Sequence, residues 1–147
     1  MNISQLNKYS RKGKFQYRAN QNLREVCTAP PNYAGIYLIY EQLEKDEKLI
    51  YIGSSGQRDK NGNLKVRKGG LYDRIINGYH PNRFGKEKRI KRNKAFPLYM
   101  QSSGISQINI YWFVTYDDEY SDFPTDVEKI LTENYITEFG RKPEWHK

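Results

Sequence analysis

Three segments of the chain have the apolar patterning of β-strands. Gly35–Tyr40 (GIYLIY) and Leu49–Gly53 (LIYIG) are rich in β-branched and aromatic residues, and the polar connector Glu41–Lys48 separates them. Two such runs joined by a polar connector predict an antiparallel hairpin. Ile108–Tyr116 (INIYWFVTY) is apolar along most of its length and predicts a third, central strand.

The predicted hairpin places two tyrosines side by side. If the chain reverses near Glu44, Tyr37 lies directly opposite Tyr51, with Cβ atoms roughly 5 Å apart on one face of the sheet. Alternate side chains of a strand point to opposite faces. The intervening apolar residues would therefore face a core on the other side of the hairpin: Ile36, Leu38, Ile50 and Ile52.

Three stretches carry apolar residues at helical spacing. The first covers Leu71–Tyr79 and the second covers Ala95–Ser103. The third starts around 123–125 and runs to Phe139, where Gly140 closes it. Together these elements predict an α/β (α+β) domain with a central three-stranded, mostly antiparallel sheet flanked by helices.

The last predicted helix has a start signal and a buried stripe. Thr125 followed three residues later by Glu128 forms a capping-box signature. The helical period predicts that five apolar side chains face the core: Val127, Ile130, Leu131, Tyr135 and Phe139.

The remaining segments define the predicted domain organisation. Residues 1–32 are polar and basic with weak periodicity, and we expect an N-terminal arm, extension or short helix there. It would contact nucleic acid or a second copy, or decorate the surface. Residues 33–147 form one predicted domain. Within it, residues 54–70 are rich in Gly, Asn and Lys, which predicts a long basic loop or an exposed hairpin with its tip at 61–63.

Composition narrows the classes of function. The chain has 147 residues, a net charge of +8 and a sequence pI near 9.5. A chain this basic favours a polyanionic partner, because each phosphate contact releases condensed counterions. The single cysteine, Cys27, excludes an intramolecular disulfide and a cysteine-rich zinc site. No apolar run approaches the roughly 20 residues of a membrane span. We expect an intracellular, cytoplasmic, DNA-associated protein with no membrane partner.

The triplets Gly35–Tyr37 and Tyr51–Gly53, with their intervening spacer, resemble the naming motif of the GIY-YIG nuclease superfamily. The resemblance covers about Gly35 to His146. It implies a small α/β domain that hydrolyses phosphodiester bonds in DNA with a divalent metal, Mg²⁺ or Mn²⁺. Such a chain would be a restriction-type or mobile-element endonuclease, and cutting both strands at one site would require a homodimer on DNA.

The same resemblance implies roles for individual residues. Tyr37 would act as the base, as phenolate, and Tyr51 would orient the water or the phosphate. Arg74 would bind the scissile phosphate with its forked donor set. Glu133, in the segment ILTENYI, is the preferred metal ligand. Glu128 is the competing metal ligand.

Two histidines are candidate supporting residues. His146 ends the string Pro143–His146, where many family members have an asparagine that supports the active site, and it would donate a hydrogen bond or bind metal. His80 follows Arg74 and is either a second general acid or base or a surface histidine.

Basic residues of two segments are expected to follow a nucleic-acid backbone. They are Arg58, Lys60, Lys65, Arg67 and Lys68 in the loop, and Lys86, Lys88, Arg89, Lys91 and Arg92 in the run KEKRIKRNK. Two alternatives to the endonuclease remain open. One is a nucleic-acid-binding module without catalysis, and the other is a basic RNA-associated protein.

Overall fold

A four-stranded antiparallel sheet organises the part of the chain that the structure, a computed structural model, describes, residues 2–146. The predicted α/β (α+β) class is confirmed. A short 3₁₀ helix, Ser4–Lys8, precedes the other elements. In chain order these are β1 (Lys12–Tyr17), α1 (Leu23–Val26), β2 (Ala34–Gln42), β3 (Glu47–Ser55), β4 (Gln57–Arg58), β5 (Leu64–Lys65), α2 (Gly70–Asn77), β6 (Tyr79–Pro81), β7 (Arg89–Lys91), α3 (Arg92–Ser103), β8 (Ile108–Tyr116) and α4 (Pro124–Phe139).

The sheet has the strand order β1-β8-β2-β3, one strand more than the sequence predicts. The additional strand, β1, belongs to the segment expected to be an arm. Its Phe15 and Tyr17 are buried while the residues between and before them are more exposed. This alternation is short, and only pairing with β8 makes it a strand. The central position of Ile108–Tyr116 is confirmed.

The hairpin of β2 and β3 forms in a register two residues away from the predicted one. Tyr37 pairs with Gly53, and Tyr51 pairs with Ile39, so the predicted direct opposition of the two tyrosines is wrong. A shift of two residues keeps both side chains on one face, because the side-chain period of a strand is two. A bulge after Ile39 brings Ile50 into the same core cluster as Tyr37, contrary to the prediction for Ile50.

Both faces of the sheet are buried, and each carries its own core. One cluster joins Tyr37 to the apolar sides of α2 and α3, including Ile75 and Phe96. The other cluster packs Ile36 and Leu38 against α4. Tyr37 therefore points into a packed layer rather than into an open groove.

The predicted helices form, and α4 runs from Pro124 to Phe139 with Gly140 at its end, as expected. The capping box does not form, because Phe123 is the N-cap residue and no side chain caps this end. The predicted stripe is also only partly buried. Ile130 and Phe139 are 52% and 46% exposed, respectively.

Two small hairpins project from the sheet scaffold. Strands β4 and β5 pair across the predicted tip at 61–63, and Gly62 has the positive φ of a tight turn. Strands β6 and β7 form a second hairpin whose connecting segment is basic. Within residues 2–146, none of the helices has the length and apolar character needed to cross a membrane.

We predict that Gly53→Ala destabilises the fold by about 1–3 kcal/mol through overpacking. A Cβ atom at Gly53 would lie 2.4 Å from Cζ of Tyr37, and the Tyr37 ring is fully buried and cannot move away. Urea denaturation measures the change. Gly85→Ala is the matched control, since its Cβ would meet only the side chain of Asn82, at 3.4 Å. Equal stability of the two variants would contradict this packing argument.

Candidate active site

The two hairpin tyrosines stack in the structure but have different access to solvent. Their ring centroids are 6.1 Å apart, with an interplanar angle of 29°. Tyr51 is half-buried and lines an open cavity. Tyr37 is fully buried, and its hydroxyl makes no hydrogen bond within the described residues. Burial raises the pKa of Tyr37, and the nearby Arg92 only partly opposes this. The structure therefore does not support Tyr37 as the base.

Arg92 lies beneath the tyrosine pair and not on the basic surface. Its side chain is fully buried, which corrects the expectation that it contacts a nucleic-acid backbone. Its Nη2 donates to the Tyr51 hydroxyl at 2.9 Å, and its guanidinium carbon lies 5.5 Å from the Tyr37 ring centroid. Burial alone would lower the pKa of Arg92, but interactions with the two phenols outweigh it and raise the pKa. The group stays a cation.

Arg92 also connects β3 to the end of α2. Its Nη1 donates to the carbonyl oxygen of Arg74 at 3.0 Å. A Cβ atom at Gly78 would lie 2.1 Å from this Nη1 atom, so only glycine leaves room for the contact. In the sequence Arg92 is one of several cations in a basic run, and no local pattern distinguishes it. Its role is visible only in three dimensions.

Arg74 lies on α2 and reaches the end of β3. Its Nε donates to the carbonyl oxygen of Ser54 at 3.2 Å, and its side chain lines a surface groove together with Ser55. The guanidinium is close enough to affect the Tyr37 hydroxyl electrostatically. The predicted proximity of Arg74 to the tyrosine pair is therefore present in the structure.

Glu128 is a carboxylate that both Arg74 and Arg92 influence electrostatically. The Ser54 hydroxyl donates to its Oε2 at 3.2 Å. Burial raises the pKa of Glu128, while Ser54, Arg74 and Arg92 oppose the rise. Glu133 is exposed and lines the same cavity of about 370 Å³ as Glu128 and Tyr51. This geometry favours Glu128 over Glu133 as the carboxylate of the site.

The donor set around Glu128 fits a hard cation of the Mg²⁺ class. Within residues 2–146 no cluster of three or more His, Cys, Asp or Glu side chains forms a complete metal cage. Mg²⁺ needs no such cage, since it is commonly held by one or two carboxylates, waters and substrate oxygens. Glu128 and Glu133 both line the open cavity and meet that requirement.

The C-terminal tail covers the edge of β3 and brings His146 to the site. The backbone N–H of Trp145 donates to the Ile50 carbonyl at 2.9 Å, and the backbone N–H of Ile52 donates to Nε2 of His146 at 3.1 Å. The His146 ring stacks on Tyr51, with centroids 4.4 Å apart. Burial is the main cause that lowers the pKa of His146 to about 4. The neutral ring positions Tyr51, and Nε2 serves as a hydrogen-bond acceptor.

His80 is buried, so the expectation of a surface histidine is wrong. Its ring lies among the aromatic rings of Tyr51, Phe96, Tyr99 and Trp145. Neither ring nitrogen has a hydrogen-bond partner within the described residues. Burial, followed by the charge of Arg92, lowers the pKa of His80 to about 3. It is a neutral packing partner of the site.

Most of the other predicted nucleic-acid contacts are on the surface. Arg58 is paired with Asp126 at 2.8 Å, and Arg67 is paired with Asp73 at 2.9 Å. Seven of the predicted contacts are exposed and form no ion pair within the described residues: Lys60, Lys65, Lys68, Lys86, Lys88, Arg89 and Lys91. They lie on or next to the two small hairpins, the one of β4 and β5 and the one of β6 and β7.

We predict that His80→Leu reduces the acid sensitivity of the fold. The unfolded state takes up a proton on His80 below the ordinary pKa of 6.5, whereas the folded state does so only near 3. Wild-type stability therefore falls as pH drops from 6.5 toward 3, with a His80 contribution approaching about 1.4 kcal/mol per pH unit.

Urea denaturation between pH 8 and pH 4 measures this dependence. The variant should lose stability less steeply than wild type below pH 6.5, while the remaining His146 keeps part of the slope. Identical slopes for the two proteins would show that His80 is not held neutral in the folded state.

Comparison with known proteins identifies no relative of this chain. No model of a known protein family matches it, and neither do any curated proteins or solved structures.

Proposed function

We propose that this protein is a Mg²⁺-dependent DNA endonuclease of the GIY-YIG type, with Mn²⁺ as an alternative metal. The main support for this proposal is that an arginine and a carboxylate both contact one residue at the edge of the sheet. Arg74 from α2 binds the Ser54 carbonyl, and Glu128 from α4 binds the Ser54 hydroxyl. Tyr51 lines the same cavity as Glu128. Phosphodiester hydrolysis needs these group types together.

Arg74 is assigned to the scissile phosphate. Within the described residues its side chain uses only Nε for a hydrogen bond, so the two Nη groups offer donors to an anion. A guanidinium remains charged at any working pH and presents a forked donor set that matches phosphate oxygens. Arg74 would bind the phosphate and stabilise the charge that develops on it during attack.

Glu128 is assigned to the metal, with Glu133 as an outer contributor on the same cavity. When bound there, Mg²⁺ would supply charge neutralisation for the phosphate and the departing oxygen. Glu128 holds its position through the Ser54 hydroxyl.

Tyr51 is assigned to the attacking water. Its hydroxyl oxygen accepts from Arg92, which leaves its other lone pair and its proton for a water molecule. His146 stacks on the ring and fixes its orientation. Tyr37 supports Tyr51 by packing and stays protonated.

The DNA would lie across the basic surface on both sides of the site. The hairpin of β4 and β5 follows β3 directly, and the hairpin of β6 and β7 carries His80, which touches Tyr51. Uncompensated lysines on both hairpins suit a phosphate backbone, whose contacts dominate nucleic-acid affinity. The net charge of +8 is consistent with such a partner.

Cleavage of supercoiled plasmid tests this proposal. We expect nicking or linearisation with Mg²⁺ or Mn²⁺ and none with EDTA. Arg74→Ala should reduce the rate by about 10²–10³-fold, as loss of a charge-stabilising donor does. Tyr51→Phe should reduce it by about 10²-fold or more if the hydroxyl acts on the water. Tyr37→Phe should retain most of the activity, because this hydroxyl is buried.

The two carboxylates allow a matched comparison. Glu128→Gln should abolish measurable cleavage and weaken Mg²⁺ binding, measured by titration calorimetry with the metal alone. Glu133→Gln removes the same charge from the same cavity and should reduce the rate by roughly tenfold at most. The reverse ranking of the two variants would assign the metal to Glu133.

A second candidate function is a nucleic-acid-binding module without catalysis. It is favoured by the burial of Tyr37 and by His146 at the position where the family often has asparagine. DNA binding with no cleavage in either metal would support it. A basic RNA-associated protein would instead prefer RNA in competition at fixed salt, and its binding would not change in Tyr51→Phe.

Sequencing the cut ends would show which kind of endonuclease this is. Paired cuts at one site would indicate a restriction-type activity and a homodimer on DNA. Single nicks would indicate action on one strand, as a monomer.

A further inference from the structure

A groove next to the candidate active site is lined by basic and neutral residues. It has a volume of about 360 Å³ and lies where β3 ends, beside the hairpin of β4 and β5. The lining residues that matter here are Ser55, Lys65, Arg67, Lys68, Arg74 and Thr125. Four of these residues are cationic, and none is acidic. The Tyr51 cavity, by contrast, is lined by two glutamates and two lysines.

Most of the charge in the groove is available to a ligand. Arg67 is paired with Asp73 at 2.9 Å. Lys65, Lys68 and Arg74 form no ion pair within residues 2–146. Three uncompensated cations around one concave surface repel each other, and an anion would relieve that repulsion.

The neutral part of the lining supplies a further donor. Ser55 is 2% exposed, and its hydroxyl has no hydrogen-bond partner within the described residues. A buried hydroxyl without a partner costs free energy, and a ligand oxygen in the groove would remove that cost. Thr125 belongs to the first turn of α4, whose N-cap residue, Phe123, provides no side-chain cap. Helix N-termini favour negative charge.

We infer that this groove binds a backbone phosphate of the DNA, next to the phosphate bound by Arg74. This inference rests on the proposed function. The groove continues directly from Arg74, which lines it and also contacts Ser54. A polynucleotide places a second phosphate at a fixed distance from the first, so one strand engages both positions. The hairpin of β4 and β5 is therefore a substrate-binding element.

Duplex binding in EDTA tests the inference without any requirement for cleavage. The probe is a fluorescein-labelled 20-base-pair DNA, followed by anisotropy from 50 to 300 mM salt. The double variant Lys65→Gln/Lys68→Gln should bind roughly 5- to 10-fold more weakly at 0.1 M salt. Its plot of log affinity against log salt should lose about 0.9 units of slope, because one phosphate contact contributes about 0.9.

The double variant Lys12→Gln/Lys45→Gln is the matched control. It removes the same charge from β1 and from the turn that precedes β3, and it should keep affinity within about threefold with less change in slope. Equal losses in the two double variants would show a general charge effect and overturn the inference. Unchanged affinity in Lys65→Gln/Lys68→Gln would also overturn it.

Ser55→Ala tests whether the groove is a defined phosphate site or only a surface that carries two unpaired lysines. It removes the buried hydroxyl without changing charge, and we expect a roughly three- to tenfold loss of duplex affinity with an unchanged salt slope. Unchanged affinity would leave the groove without its hydroxyl donor and contradict the site as argued.

Competition with small phosphate compounds tests whether the groove binds a DNA phosphate or a free phosphate compound. Inorganic phosphate or a nucleoside monophosphate at 5 mM should displace little duplex. Complete displacement would assign the groove to a free phosphate compound instead. A protein that binds DNA through Lys65 and Lys68 but does not cleave it would retain this inference and refute the endonuclease.

Discussion

The site depends on a positive charge held inside the protein. The Arg92 guanidinium is fully buried, and within residues 2–146 it makes no ion pair with a carboxylate. Burying an ion costs several kcal/mol after relaxation. Hydrogen bonds to Tyr51 and to the Arg74 carbonyl, two phenol rings and the nearby Glu128 offset that cost. One side chain thereby fixes the tyrosine hydroxyl relative to the helix that carries Arg74.

The edge strand of the sheet lets groups from opposite faces meet. Arg74 belongs to α2, which packs on the same face as Tyr37, while Glu128 belongs to α4 on the other face. Both reach Ser54 of β3, because β3 has no neighbouring strand on its outer side. The C-terminal tail covers the part of this edge at Ile50 and Ile52 by forming hydrogen bonds with their backbone groups. The end of β3 lines the groove of about 360 Å³, where we propose that DNA binds.

The glycines of the two triplets are explained by packing. A Cβ atom at Gly35 would lie 2.0 Å from the carbonyl oxygen of Phe113, and one at Gly53 would overlap the Tyr37 ring. Gly35 therefore allows β2 and β8 to approach, and Gly53 leaves space for a buried tyrosine. A sequence pattern that resembles a catalytic motif is therefore in part a requirement of close packing between strands. This packing buries Tyr37 and leaves Tyr51 partly accessible.

The sequence by itself determined the hairpin, the central strand Ile108–Tyr116 and the three main helices, because these elements follow from local periodicity. It also determined that the two tyrosines share one face of the sheet, since a register shift of two residues does not change the face. Tertiary structure decided which tyrosine meets solvent and which charge is buried. Lys91 and Arg92 are neighbours in one basic run, yet the first is exposed and the second fully buried. Local sequence cannot separate them, since burial depends on contacts with β3 and α2, distant along the chain.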